Sequence, residues 1–201
     1  MRFLGVDPGL VRTGWAVVEM EGDGFQLLSA GVIAPRSQGE LGERLLEGFD
    51  AMTAVLEESR AGYVALEELF SAPDHPNASL LVAHMRGVLC VAFQRAGVIV
   101  RPFTATTVKQ RLTGSGHASK EQVRRMVFQL CQLPPRRVKL DLTDAIALAI
   151  TGLTSERALA EQSTSMTSDA VQAFLTPTRG RRAAMYDMIA EQYPGLRVEM
   201  P

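Results

Sequence analysis

The chain has 201 residues, of which 46% are hydrophobic and 21% are charged, and its formal net charge is −1. This composition excludes a wholly disordered chain, and no apolar run approaches the roughly 20 residues that span a bilayer. Because no targeting segment is recognisable either, we expect a soluble, cytoplasmic protein with no membrane partner.

Three short strands are predicted in the first third of the chain. Apolar runs separated by turn residues place them at residues 2–6, 14–20 and 26–33. Strands this close in sequence pair as antiparallel neighbours, and we therefore expect a three-stranded meander.

Helices and two further strands follow, where the hydrophobic spacing changes between the helical and the strand period. In chain order they are a helix at 41–61, a strand at 63–67, a helix at 77–96, a strand at 98–103, and helices at 105–112, 120–130 and 140–153. This order predicts an α/β fold in which a mixed five-stranded sheet is flanked by helices.

The last quarter of the chain differs in character from the rest. We expect one domain at residues 1–153, a length typical of a single hydrophobic core. Residues 154–201 are predicted to be a C-terminal extension, in which 163–168 have the composition of a linker and 183–192 form a short helix.

Charge is unevenly distributed along the chain. Residues 1–94 hold 13 acidic and 6 basic side chains, whereas residues 95–139 hold 10 basic ones and a single acid, Glu121. A basic stretch of this kind is either a solvated helix face or a surface that binds phosphate groups, and charge alone does not distinguish the two.

Carboxylates occur at three points of the predicted fold. Asp7 ends the first strand, and Glu67 and Glu68 end the fourth. Strand alternation directs one of these two glutamates to each face of the sheet, without deciding which faces the site. Asp141 and Asp144 begin the last helix, where their spacing places both on one face. Each acid taken alone is also explained as a turn residue, a surface glutamate or a helix-terminal acid.

Taken together, these acids indicate a site for divalent cations. Mg²⁺ and Mn²⁺ prefer oxygen ligands, and water and substrate phosphate complete their coordination. Two such ions about 3.5–4 Å apart activate a water molecule and stabilise the leaving oxygen in phosphodiester hydrolysis. The neighbouring basic stretch would then bring a phosphate backbone to an acidic pocket, and we predict a metal-dependent nuclease.

Five segments carry a resemblance to one protein family. They are residues 6–14 (VDPGLVRTG), 65–70 (ALEELF), 108–110 (VKQ), 118–120 (ASK) and 141–145 (DLTDA). In this order and spacing they resemble the RuvC family, the Holliday-junction resolvases (crossover junction endodeoxyribonucleases) of bacteria. The resemblance runs over residues 1–153.

The resemblance implies an RNase H-like fold and a homodimer that nicks two symmetry-related strands of a four-way junction in DNA recombination and repair. It also implies two Mg²⁺ or Mn²⁺ ions in each active site, and the RuvA–RuvB branch-migration complex as a partner. By position, the family's catalytic, metal-binding carboxylates match Asp7, Glu67, Asp141 and Asp144. Asp7 is then shared between the metals, and Glu67 is preferred to Glu68.

The same comparison assigns residues to DNA. Lys109 and Lys120 match basic residues that contact phosphates near the cleaved bond, which makes Lys120 part of the catalytic set. Phe70 matches an aromatic side chain that stacks on bases at the junction centre. With two arginines of the basic stretch, the expected DNA-binding set is Phe70, Lys109, Arg111, Lys120 and Arg124.

The long predicted helix at residues 77–96 is apolar around much of its circumference. Burial in the core explains this pattern, and so does contact between the two copies of a dimer. The sequence does not decide between them.

Three other functions remain open from the residues alone. An actin-like ATPase or a sugar kinase shares a related fold and a first phosphate loop with Asp and Gly at a strand end, but needs a longer chain and a second phosphate loop. A non-catalytic junction binder would keep the basic stretch and lose the acids. Another RNase H-like nuclease, acting on RNA–DNA hybrids or single strands, would use the same carboxylates.

Overall fold

The computed structural model describes residues 1–22, 24–36, 38–69, 76–133 and 142–165. The strands are β1 (Arg2–Asp7), β2 (Thr13–Glu21), β3 (Gly24–Ile33), β4 (Tyr63–Glu67) and β5 (Ile99–Phe103). The helices are α1 (Leu41–Ser59), α2 (Pro76–Arg95), α3 (Ala105–Thr113), α4 (Lys120–Leu130) and α5 (Thr143–Ser165). Met1–Arg157 form one compact unit. Within the described ranges, no helix is long and apolar enough to cross a membrane.

The five strands form one mixed sheet in the order β3-β2-β1-β4-β5. β2 pairs antiparallel with both β1 and β3, whereas β1, β4 and β5 run parallel to one another. The carboxyl ends of β1, β4 and β5 therefore lie at one edge of the sheet. The predicted meander and the predicted mixed five-stranded sheet are both confirmed.

Helices cover both faces of the sheet. Phe3 and Ala65 belong to a buried cluster with side chains of α3, α4 and α5, and we call this side the α5 face. Leu4, Val6 and Leu66 belong to a second cluster with side chains of α1 and α2, the α1/α2 face. The alternation of side chains along β1 and β4 produces this division, because successive residues of a strand point to opposite faces.

Gly5 brings α5 into direct contact with the middle of the sheet. A Cβ atom on Gly5 would overlap the carbonyl oxygen of Ala145 and would lie 2.7 Å from the amide nitrogen of Ala149. The α5 backbone therefore rests on β1 at a position that admits no side chain. This close approach places the first turn of α5 beside the carboxyl end of β1.

The end of α5 differs from the prediction. The sequence predicted that this helix ends near residue 153 and that a linker begins at 163, but α5 continues to Ser165. Two features explain the extension: residues 154–165 contain no glycine or proline to stop a helix, and the Glu156 carboxylate lies 2.5 Å from the Arg101 guanidinium on β5. The proposed domain boundary after residue 153 stays a prediction, as does the helix at 183–192, which lies outside the described residues.

The Gly5 contact yields a stability prediction. Gly5→Ala should lower the free energy of unfolding by about 1–3 kcal/mol, the usual cost of overpacking, as measured by urea denaturation. Gly42→Ala is the control, because a Cβ there meets no atom within 4 Å and alanine favours the helix. If Gly5→Ala were as stable as the wild type, α5 would not rest on β1 in this way.

Candidate active site

Asp7 and Glu67 lie side by side at one edge of the sheet. β1 and β4 are parallel neighbours, and their register pairs Val6 with Leu66. The next residue along each strand is the acid, so the two carboxyl groups occupy adjacent positions. The sequence shows only an acid at the end of each strand. The pairing of β1 with β4 is what brings the two acids together.

Strand alternation also decides between the two glutamates. Asp7 lies four positions after Phe3, and Glu67 lies two positions after Ala65. Both acids therefore lie on the α5 face of the sheet. Glu68 falls on the opposite side of its strand, and its backbone amide donates to the carbonyl oxygen of Phe103 at 2.9 Å.

The carboxyl groups of Asp7 and Glu67 are hydrogen-bonded to each other, which requires a proton on one of them. Burial, that hydrogen bond and the neighbouring negative charges raise the pKa of Glu67 to about 8. Burial also raises the pKa of Asp7, while the hydrogen bond from Glu67 lowers it. The pair therefore holds a proton more tightly than an isolated carboxyl group does.

Asp144 adds a third carboxylate from the first turn of α5. Its negative charge contributes to the raised pKa of both Asp7 and Glu67. Lys120, the first residue of α4, opposes this effect by lowering both pKa values, and its Nζ lies 3.7 Å from Oδ2 of Asp144. The Lys120 side chain is 88% exposed, so the ion pair is weak and the ammonium group is free to turn to another anion.

These side chains line one cleft of about 320 Å³. Asp7, Glu67 and Asp144 supply its acidic wall, and Lys109 and Lys120 supply its basic side. The remaining lining side chains are apolar: Ala105, Val108, Val123 and Leu148. The structure therefore brings together three of the four predicted carboxylates and both predicted lysines.

The start of each basic helix is set by its cap. The Ser119 hydroxyl accepts a hydrogen bond from the Gln122 amide, and the Gln122 side chain accepts one from the Ser119 amide, which forms a capping box at the start of α4. Thr104 caps α3 with a single hydrogen bond, which its hydroxyl accepts from the Thr107 amide at 3.0 Å. The Ser119 cap makes Lys120 the first helical residue, next to Asp144.

The other predicted site residues lie elsewhere. Arg111 is exposed in the last turn of α3, and Arg124 lines a separate groove on α4. Neither lines the cleft, and their contact with DNA stays a prediction. Asp141 and Phe70 fall outside the described residues.

Two arginines that the sequence analysis did not single out hold the backbone of the site. Nε of Arg86, on α2, donates to the carbonyl oxygen of Glu67 at 3.2 Å. Nη2 of Arg44, on α1, donates to the carbonyl oxygen of Leu10 at 3.2 Å, in the loop that follows Asp7. No local pattern marks either arginine, because each contact joins residues far apart in sequence.

The donor set fits a hard divalent cation. Carboxylate oxygens are the ligands that Mg²⁺ and Mn²⁺ prefer, and three of them share the cleft. Within the described ranges, no three acidic, histidine or cysteine groups already stand close enough together to hold a metal. Glu67 shares a proton with Asp7 and Asp144 faces Lys120, so each acid has a partner that a cation would replace.

Comparison with known proteins decides the family. The family model described as "Crossover junction endodeoxyribonuclease RuvC" matches residues 3–152 of the chain. The chain belongs to the RuvC family. A crossover junction endodeoxyribonuclease RuvC of Rhodopirellula baltica is 40% identical over 149 residues, which are 74% of this chain and 84% of that protein. A Caulobacter vibrioides RuvC is 38% identical over 151 residues, or 75% and 88% of the two chains.

Solved structures agree with the RuvC assignment. The structure of Thermus thermophilus RuvC has a TM-score of 0.73 and 34% identity, covering 79% of this chain and 96% of that one. The same protein in complex with Holliday junction substrate gives a TM-score of 0.72 and 32% identity, again over 79% and 96%. The predicted RNase H-like fold and the predicted family are thereby confirmed, and the RuvC match favours a nuclease over an actin-like ATPase or sugar kinase.

The shared proton yields a pH prediction for the metal-free protein. A carboxyl group whose pKa rises from 4.5 when unfolded to about 8 when folded stabilises the fold at low pH. The free energy of unfolding should therefore fall as pH rises from about 5 to 8, as measured by urea denaturation in EDTA. Glu67→Gln, which mimics the protonated form, should flatten this dependence. A wild-type curve as flat as that of Glu67→Gln would contradict the shared proton.

Proposed function

We propose that this RuvC-family protein is a divalent-metal-dependent endonuclease that resolves four-way DNA junctions by nicking two symmetry-related strands. The observation that carries the proposal is the cleft in which β1, β4 and α5 bring three carboxylates together opposite two lysines. A nuclease needs both groups in one place, because a phosphate backbone must approach an acidic site. The complex of Thermus thermophilus RuvC with Holliday junction substrate supports the same substrate here.

Asp7, Glu67 and Asp144 are the residues that would hold two Mg²⁺ or Mn²⁺ ions, together with Asp141. When bound, such ions supply an activated water molecule and stabilise the leaving oxygen of the cleaved phosphodiester. Glu67 must first lose its proton to solvent, since a protonated carboxyl group is a poor ligand. The raised pKa of Glu67 therefore couples metal binding to proton release.

The lysines bind and orient the substrate. The exposed ammonium group of Lys120 turns from Asp144 to an oxygen of the scissile phosphate once that carboxylate has another partner. Lys109 lines the same cleft from α3 and holds a neighbouring phosphate. Neither contact reads a base, so both contribute affinity without sequence preference. We assign stacking at the junction centre to Phe70 and an outer phosphate contact to Arg111.

A homodimer accounts for paired nicking, since two cleavage sites at a fixed distance match a four-way branch. The surface that suits a second copy is an apolar groove between α1 and α2, lined by Leu45, Leu46, Phe49, Val88 and Val91. Leu46 is 60% and Val91 is 55% exposed, although α2 also buries Met85 and Leu89 in the core. Both explanations of the apolar α2 helix thus find support. We further propose that the dimer works with the RuvA–RuvB complex in the cytoplasm.

Removing single carboxylates tests the catalytic assignment. Asp7→Asn and Asp144→Asn should each abolish Mg²⁺- or Mn²⁺-dependent nicking of a synthetic four-way junction, because each loses a charged ligand. Junction binding, measured by gel shift in Ca²⁺, should survive. Asp50→Asn, an exposed aspartate on α1, is the matched control and should cleave like the wild type. Retained nicking by Asp7→Asn would remove the metal hypothesis.

The same assay distinguishes the other functions. The wild type is incubated, in Mg²⁺ and in EDTA, with each of four substrates: a four-way junction, a linear duplex of the same arm sequence, an RNA–DNA hybrid and ATP. We expect paired nicks only in the four-way junction, and only when Mg²⁺ is present. Preferred cleavage of the hybrid would indicate another RNase H-like nuclease, and binding without cleavage would indicate a junction binder.

A charge introduced into the apolar groove between α1 and α2 tests whether this groove is the dimer surface. Leu46→Glu should convert the protein to a monomer in sedimentation velocity, and should replace paired nicks by isolated single nicks. Leu28→Glu places the same charge on an exposed leucine of β3 and should leave the dimer intact. A dimeric Leu46→Glu protein would show that the copies associate through another surface.

A further inference from the structure

One face of α4 carries a row of side chains that starts at the active-site cleft. Lys120, Arg124 and Phe128 follow one another at intervals of four residues, which places them on one side of the helix. Val123 and Val127 follow Lys120 and Arg124 by three residues each, so they lie on the adjoining side of the helix, and they are buried. The row therefore leads from Lys120, at the cleft, outward over about 12 Å of helix surface.

Arg124 and Phe128 form a shallow groove on this face. The groove measures about 300 Å³ and is lined by Glu121, Arg124, Arg125 and Phe128. The guanidinium carbon of Arg124 lies 5.3 Å from the centre of the Phe128 ring, within cation–π distance. Only 29% of the Arg124 side chain is exposed, so the ring and the helix surface hold the guanidinium group in a defined orientation.

Glu121 also faces this guanidinium group. Its Oε2 lies 3.8 Å from Nη1 of Arg124, and its side chain is 68% exposed. Glu121 is the single acid among the 10 basic residues of 95–139. The helix dipole favours an acid in the first turn of α4, but does not require that acid to face an arginine. Arg125, beside it, has no ion-pair partner within the described part of the chain.

We propose that this face of α4 binds the phosphate backbone of the duplex arm next to the cleaved strand, and that Glu121 limits the binding by holding Arg124. The inference rests on the proposed function, because the arm is placed by the strand in the cleft. Arg124 and Arg125 supply the phosphate contacts, and Phe128 keeps the Arg124 guanidinium oriented. Glu121 competes with phosphate for that group and repels the backbone, which favours release of the nicked product.

The expected effect is modest, since an exposed ion pair is weak. Glu121→Gln should tighten junction binding about two- to five-fold. It should also steepen the dependence of log affinity on log salt, by up to about 0.9 for one additional phosphate contact. Arg125→Ala should weaken junction binding and make the dependence of log affinity on log salt shallower. Binding is measured by fluorescence anisotropy of a labelled four-way junction in Ca²⁺, at several salt concentrations.

A matched variant separates this contact from the change in net charge. Glu58→Gln removes the same charge from an exposed glutamate near the end of α1, which lies toward the amino end of β4 and away from the cleft. Glu58→Gln should bind the junction like the wild type. If Glu121→Gln bound no more tightly than Glu58→Gln, the proposed role of Glu121 would be wrong.

A double-mutant cycle tests whether Glu121 acts through Arg124. In an Arg124→Ala background, Glu121→Gln should lose most of its effect, because the guanidinium group that Glu121 holds is then absent. An undiminished effect in that background would overturn the proposed coupling. The wild type reports separately on the proposed function: a wild type that neither binds nor cleaves the junction contradicts that function. If the wild type cleaves the junction but Glu121→Gln and Glu58→Gln bind it with equal affinity, only the inference about Glu121 is contradicted.

Discussion

Two carboxyl groups stand next to each other at the ends of β1 and β4, in a place where water only partly reaches them. Burial and the repulsion between like charges raise the pKa of Glu67, so the metal-free protein retains a proton on this pair of acids, and Asp144 is balanced by Lys120. The fold holds this arrangement in several ways. The parallel register aligns the acids, Gly5 lets α5 approach, and Arg86 ties the backbone of Glu67 to α2.

In the proposed function, DNA binding and chemistry occupy neighbouring surfaces. A cleft that stores negative charge repels DNA, and the approach of a phosphate backbone depends on basic groups at its edge. α3 and α4 supply them, since Lys109 and Lys120 line the cleft itself and Arg124 lies one turn further along α4. The uneven distribution of charge in the sequence thus becomes, after folding, an acidic centre with a basic border.

Most of the fold follows from local patterns, and the exceptions are instructive. Hydrophobic period and turn residues predicted, in order, the strands and helices that the described ranges contain, because these signals act within a few residues. The predicted end of α5 was wrong. The helix extends further because an ion pair between Glu156 and Arg101 supports it, and no local pattern reveals that contact. The preference for Glu67 over Glu68 came from the family resemblance, and the pairing of β1 with β4 supplies its physical reason. Arg86 and Arg44 were missed because their partners lie on other elements.

We propose that the carboxylates of β1, β4 and α5 act as one divalent-cation site. The most direct measurement is the anomalous scattering of manganese in crystals grown at a pH above the raised pKa of Glu67. Manganese should be bound to oxygens of Asp7, Glu67 and Asp144, and no such peak should appear in Asp7→Asn crystals. Manganese absent from this cleft, at a concentration that supports cleavage in solution, would contradict the proposal.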